Sequence, residues 1–207
     1  MRNIVEVFAI PLRRAPVVAL WCLLALFGEA AFGIEPKVAV TVGHKDEAFI
    51  VDATIDVQVP LATAWDVLTD FDHMTSILGN LKSSKVVSRE GNTWIVRQNG
   101  VARWGLLSFS FESEREIRLE PMKRILAKSL SGTLKRMESE AKISTQDQGV
   151  RIKYRAESVP DSVLARMFGA SFVRHEVEEQ FMEMAREMLE RHARALPPGT
   201  PPAMPGN

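Results

Sequence analysis

The feature that most constrains this chain is a long amphipathic run between Pro160 and Ala195. Val173, Val177, Phe181, Met184 and Met188 recur at steps of four, four, three and four, which places them on one face of a helix. Glu176, Glu179, Glu183, Arg186, Glu187, Glu190 and Arg194 fall outside that stripe and read as a solvated face. Such a helix needs a broad apolar surface to lie on. Between Ala48 and Glu157 the apolar period shifts to two, with turn residues at intervals, so the predicted partner is one curved antiparallel sheet. The class is α+β, and a sheet capped by a helix can hold a pocket.

The first strand runs from Phe49 to Val59, with Phe49, Val51, Ala53, Ile55, Val57 and Val59 on one face and Asp52, Thr54, Asp56 and Gln58 on the other. Pro60 ends it. Leu61 to Thr69 carries Ala64, Trp65 and Leu68 at helical spacing, and a second short helical segment, His73 to Leu78, stops at Gly79-Asn80. Six strand-like runs follow: Ser84–Arg89, Thr93–Asn99, Arg103–Arg118, Arg124–Leu130, Leu134–Ile143 and Val150–Glu157. Gly100 is read as the turn before the third of these, in which Leu107, Phe109 and Phe111 share a face. In the last, Val150, Ile152, Tyr154 and Ala156 alternate with Arg151, Lys153, Arg155 and Glu157.

The termini carry different signals. Arg13-Arg14, the apolar run Val17–Phe27 and the small residues ending Ala31-Phe32-Gly33 have the layout of a secretory signal peptide cut near Gly33. An apolar run of that length falls short of the roughly 20 residues needed to span a bilayer. The expected organisation is a signal peptide (1–33), an extended lead-in (34–47), one ligand-binding domain (48–195) and a proline-rich disordered tail (196–207). Export implies a periplasmic location. Cys22 is the only cysteine, so cleavage leaves a mature chain with no disulfide, thiolate nucleophile or zinc-thiolate site. The 26 basic and 26 acidic residues balance, so no global field draws the chain to nucleic acid.

The segment from Asp56 to Asp72 (DVQVPLATAWDVLTDFD), continued by Leu81-Lys82-Ser83-Ser84-Lys85-Val86-Val87, resembles the opening of START-like proteins. The similarity is to the polyketide cyclase/dehydrase and coenzyme Q-binding members and covers about Ala48 to His192. It implies a helix-grip fold: about seven antiparallel strands wrapped around the C-terminal helix, two short helices after the first strand, and an apolar cavity between sheet and helix. The superfamily spans lipid carriers, ligand binders and aromatase/cyclases, so fold alone does not select among them.

The residues themselves offer little chemistry. No phosphate loop, dinucleotide fingerprint or metal-ligand cluster occurs, so neither cofactor nor metal is expected. The catalytic candidates are His73, beside the Asp70-Phe71-Asp72 turn, and Arg97 and Arg103, which would polarise a carbonyl if they pointed inward. With Ile95 and Val101 sharing their parity, the outward, solvated reading is favoured for the arginines. His73 reads first as a capping or surface residue. The ligand-binding candidates are Phe109, Phe111, Phe172, Val177, Phe181, Met184 and Met188, where flexible methionines suit an adaptable apolar ligand. The expectation is an exported carrier of a hydrophobic small molecule (lipid, quinone or isoprenoid) with transient membrane contact. The alternative is a cyclase or dehydratase.

Overall fold

Apolar alternation through the middle of the chain produces one antiparallel sheet of eight strands in the order β1-β2-β8-β7-β6-β5-β4-β3. The computed structural model describes residues 35–160 and 169–197. The signal-peptide reading, residues 161–168 at the start of the amphipathic run and the tail from residue 198 therefore lie outside the described residues. The strands are β1 (Lys37–Lys45), β2 (Ala48–Val57), β3 (Leu81–Glu90), β4 (Thr93–Trp104), β5 (Leu107–Glu120), β6 (Arg124–Gly132), β7 (Leu134–Gln146) and β8 (Gly149–Pro160). Helix α1 (Leu61–Thr69) and a 3-10 turn (Phe71–Ser76) connect β2 to β3, and α2 (Ala170–Ala195) closes the fold. This is a helix-grip fold.

Two differences from the sequence expectation have clear physical causes. The lead-in contributes an eighth strand, because Lys37 to Lys45 pairs residue for residue with Asp56 to Ala48 and covers an edge of β2. The run expected as Arg103–Arg118 is two strands, and Gly100 is not its turn. Gly100 lies within β4, opposite Leu81 and Phe111. A Cβ there would stand 2.2 Å from the Asn80 carbonyl oxygen and 2.7 Å from a Phe111 ring carbon. Close approach, and not chain reversal, requires this glycine. The reversal falls at Gly105-Leu106, between the paired Trp104 and Leu107, with Gly105 at φ +59°.

The inner face of the sheet divides along the strands. At one end Ile55 and Val57 (β2), Val96 (β4), Ile117 and Leu119 (β5), Ala141 and Ile143 (β7), and Val150 and Ile152 (β8) pack with Ala64, Val67 and Leu68 of α1 and with Phe71 and Met74. Burying a side chain such as Ile55, Ile117 or Ile152 contributes about 1.5–3 kcal/mol each. Helix α2 lays Ala185 and Met188 into this core, with Phe181, Met184 and Leu189 packed beside them. Its distal end is tied to α1 through Arg191, which donates to Asp70 Oδ2 and Glu187 Oε1, each at 2.7 Å. At the other end of the sheet the inward positions, among them Phe109, Phe111, Met137 and Ala156, line a cavity in place of a packed core.

Candidate functional site

A cavity of about 320 Å³ lies between the far half of the sheet and the first turns of α2. Its walls include Phe109 and Phe111 from β5, Met137 from β7, Ala156 from β8, and Phe172, Val173 and Val177 from α2. A smaller lobe of about 160 Å³ reaches toward α1 and is lined by Leu68, Phe71, Met74, Ile117, Phe181 and Met184. Arg115, Tyr154, Val177 and Gln180 line both. Of the ligand-binding candidates, Phe109, Phe111 and Phe172 line the larger lobe, Val177 lines both, and Phe181 and Met184 line the smaller. Met188 lines neither: it is 1% exposed and packed into the core, because its position one turn beyond Met184 carries it past the cavity.

A polar layer marks the boundary between packed core and cavity. Counting by twos along β5, Leu119 and Ile117 belong to the core, Arg115 follows, and Ser113, Phe111 and Phe109 line the cavity. On β8 the corresponding order is Val150 and Ile152, then Tyr154, then Ala156 and Ser158. Gln98 of β4, which pairs with Ser113, and Ser139 of β7, which pairs with Ala156, lie diagonally beside them and line the smaller lobe. The β5–β6 register shifts between Glu114 and Arg115, so that Leu130 is the extra residue of a bulge; bulges of this kind re-aim neighbouring side chains.

Arg115 is held by a short chain of hydrogen bonds. One of its Nη groups donates to Gln98 Oε1. Gln98 Nε2 donates to Ser84 Oγ at 2.8 Å, and the Ser84 hydroxyl donates to the Phe71 carbonyl. Its Nε is buried with no acceptor, and among the described residues no carboxylate forms an ion pair with it. Burial pulls its pKa below the ordinary arginine value, partly opposed by Tyr154. The Tyr154 phenol is pushed up by burial, against a hydrogen bond with Ser139, and its ring meets Phe181 edge-on at 5.0 Å.

Helix α2 also supplies carboxylates where a solvated face is expected. Glu176 is buried on the cavity wall, not solvated, because the chain at Asn80 folds over it: Asn80 Nδ2 donates to Glu176 Oε2 at 3.3 Å. Two turns on, Glu183 accepts the Gly79 N–H at 3.2 Å. Burial raises both carboxyls above their ordinary value, and Glu179 raises them further.

The three catalytic candidates are not brought together. His73 is 75% exposed and hydrogen-bonds Asp70 at 2.7 Å. Arg97 points outward and donates to Glu114 Oε2 at 2.8 Å across the β4–β5 pair. Arg103 is exposed, on the same outward parity. None of them lines either lobe. The inward positions of β4 are Val96, Gln98 and Ala102, as the strand's alternation requires. Sequence reasoning did not single out Arg115 or Gln98, yet extending the Phe109–Phe111 parity along β5 by two steps reaches Arg115.

A curved sheet gripping a helix around an internal cavity defines a START-like protein. The chain belongs to the polyketide cyclase/dehydrase and lipid transport family, whose sequence profile matches residues 57–189. No curated protein matches it. Among solved structures it is similar to the STAR-related lipid transfer protein of Xanthomonas axonopodis, with a TM-score of 0.58 and 10% identity, covering 77% of this chain and 94% of that one. It is similar also to the Zhui aromatase/cyclase of Streptomyces sp. R1128 (TM-score 0.56, 16% identity, 71% and 94% covered). A START superfamily protein of Mycobacterium smegmatis matches with a TM-score of 0.54 at 13% identity, 71% and 99% covered. At these identities the likeness establishes the fold and leaves the ligand open.

Proposed function

We propose that this protein is an exported carrier that binds a hydrophobic small molecule in the cavity between sheet and α2, without transforming it. The observation that carries the reading is the cavity itself, of about 320 Å³, walled by Phe109, Phe111, Phe172, Val173, Val177 and Met137 and sharing four wall residues with the smaller one of about 160 Å³. A lipid, quinone or isoprenoid has the apolar surface such walls would cover. The signal-like segment ending at Gly33 supports a periplasmic setting, and transient membrane contact would give access to a sparingly soluble ligand. A lipid transfer protein among the structural neighbours is consistent with carriage.

The second reading, a cyclase or dehydratase, loses His73, Arg97 and Arg103 to the outer surface and rests instead on Arg115, a cation on the cavity wall suited to polarising a carbonyl. Titration with a fluorescent apolar probe, in the native chain and in Ala102→Phe, tests the carrier reading. Ala102 is a buried residue of the cavity wall, so the added ring occupies the space the probe needs. Saturable one-to-one binding that Ala102→Phe abolishes while the chain stays folded is the expected result. Binding that is absent, or indifferent to the substitution, overturns it.

A further inference from the structure

We propose that the ligand of this cavity is an apolar molecule with a single carboxylate head, and that the head pairs with Arg115. The inference rests on the carrier reading and adds the chemistry of the ligand's polar end.

Several arginines elsewhere in the fold have carboxylate partners, and Arg103, which has none among the described residues, is exposed. Arg97 holds Glu114, Arg124 holds Glu120 and Glu140, Arg151 holds Asp56, and Arg191 holds Asp70 and Glu187. Each of these pairs reaches solvent, where its contribution to stability is small. Arg115 is the reverse case: enclosed in the protein, where a counter-charge matters most, and held by a neutral amide. Its side chain is part of the wall of both the larger and the smaller cavity.

The neighbouring groups do not supply the missing charge. Tyr154 is kept in its neutral form by burial. Glu176, on the opposite wall, is turned to Asn80 and is itself disfavoured as an anion by burial. Glu112, at the rim, sits on an exposed, outward-parity position of β5. Gln180 and the serines at 113, 129 and 131 are uncharged. Among the described residues that line it, the cavity thus presents one cation among aromatic and aliphatic walls.

A carboxylate matches that cation in charge and shape. The guanidinium fork donates two parallel charge-assisted hydrogen bonds to it, and Gln98 fixes the plane of the fork before the ligand arrives. Because Arg115 lies at the boundary with the packed core, the head enters first. The tail then extends along Phe109, Phe111 and Phe172 in the larger lobe.

The test compares dodecanoate with dodecanol, equal in chain length and different in charge, by calorimetric titration of the native chain at neutral pH. The expected result is a preference for dodecanoate of about tenfold or more, the scale set by one charge-assisted pair. In Arg115→Gln, checked for folding by thermal unfolding, the affinities for the two should fall within about threefold of each other. In Arg115→Lys, which keeps the charge and loses the fork, the preference should be intermediate. Equal binding of acid and alcohol by the native chain overturns the head-group assignment and leaves the carrier reading standing. Binding of neither overturns both. An acid preference that persists in folded Arg115→Gln places the anion elsewhere and also overturns the assignment.

Discussion

Arg115 on β5 donates to the side-chain carbonyl of Gln98 on β4, so that an enclosed guanidinium is positioned by an uncharged partner. Gln98 is itself 6% exposed and anchored through Ser84, which makes it the element that decides where the cation points. Gln98→Leu removes the acceptor and leaves the guanidinium head unsatisfied. The expected cost is about 1–3 kcal/mol of folding stability, read from urea denaturation. Gln98→Glu places a carboxylate in the same position. It should pair with Arg115 and weaken dodecanoate binding by about tenfold or more, in a displacement assay, with a smaller effect on dodecanol. Unchanged discrimination in Gln98→Glu would show that Arg115 is not the anion's partner.

The carboxyls of α2 predict how stability depends on pH. Glu176 faces Asn80, with Glu179 and His175 beside it on the helix and the Arg103 backbone across from it; Glu183 faces Gly79, with Glu179 and Arg186 beside it. Both titrate above the ordinary glutamate value of 4.5, chiefly through burial, so the folded state binds their protons more tightly than the unfolded state. Their protonation therefore favours folding. The benefit is complete below 4.5 and is lost as pH rises through the raised folded values.

Asp56 and Asp70 act in the opposite sense. A hydrogen bond from Arg151 holds Asp56 below its ordinary value of 3.8. Burial alone would raise Asp70, but hydrogen bonds with His73 and Arg191 outweigh it. Their stabilisation is present above 3.8 and is lost as pH falls through their lowered folded values. Thermal unfolding across pH should therefore show greatest stability on the mildly acidic side. Glu176→Gln combined with Glu183→Gln should flatten the alkaline limb without moving the acid one. An unaltered alkaline limb in that double variant would contradict the assignment.

His73, Arg97 and Arg103 should be dispensable for binding. Alanine at each position removes groups that reach solvent and line neither lobe. Ligand dissociation constants are expected to stay within about threefold of the native chain, consistent with the small effects of exposed ion pairs. A loss of tenfold or more at any of the three would return the polar chemistry to the outer face of β4 or to the 3-10 turn.

Gly100 supplies a test of the fold. An alanine there meets the Asn80 carbonyl oxygen, a backbone atom, at 2.2 Å and a ring carbon of Phe111, a cavity-wall residue, at 2.7 Å. Gly100→Ala is expected to cost about 1–3 kcal/mol through overpacking and to alter ligand affinity through Phe111. Gly43, whose Cβ would meet nothing within 4 Å, is the control: Gly43→Ala should be close to neutral.

Periodicity made the architecture legible. The α2 stripe and the alternation in β2 and β8 define helix and sheet directly, since a residue's face follows from its number. Three features required three-dimensional context. The lead-in strand Lys37–Lys45 has Val38, Val40 and Val42 at period two but no fully buried residue, so its alternation is short and weak, and its pairing with β2 is what shows it to be part of the sheet. Gly100 carries the same local signal whether it serves a turn or a close contact, and the contact with Asn80 becomes visible only on folding. Glu176 stands on a predominantly charged helical face, but the Gly79-Asn80 segment arrives from far away in sequence to bury it. Arg115 was legible in principle, because strand parity puts it inward. Charge on an inward position is uncommon enough that parity had to be followed against composition.

The most direct measurement is native mass spectrometry of the purified protein, followed by extraction and identification of whatever is bound. The account predicts one small molecule per chain, apolar along most of its length and bearing a carboxylate, lost from Ala102→Phe. A chain that is empty as isolated, and that gains no thermal stability from any lipid, quinone or fatty acid offered, would contradict it.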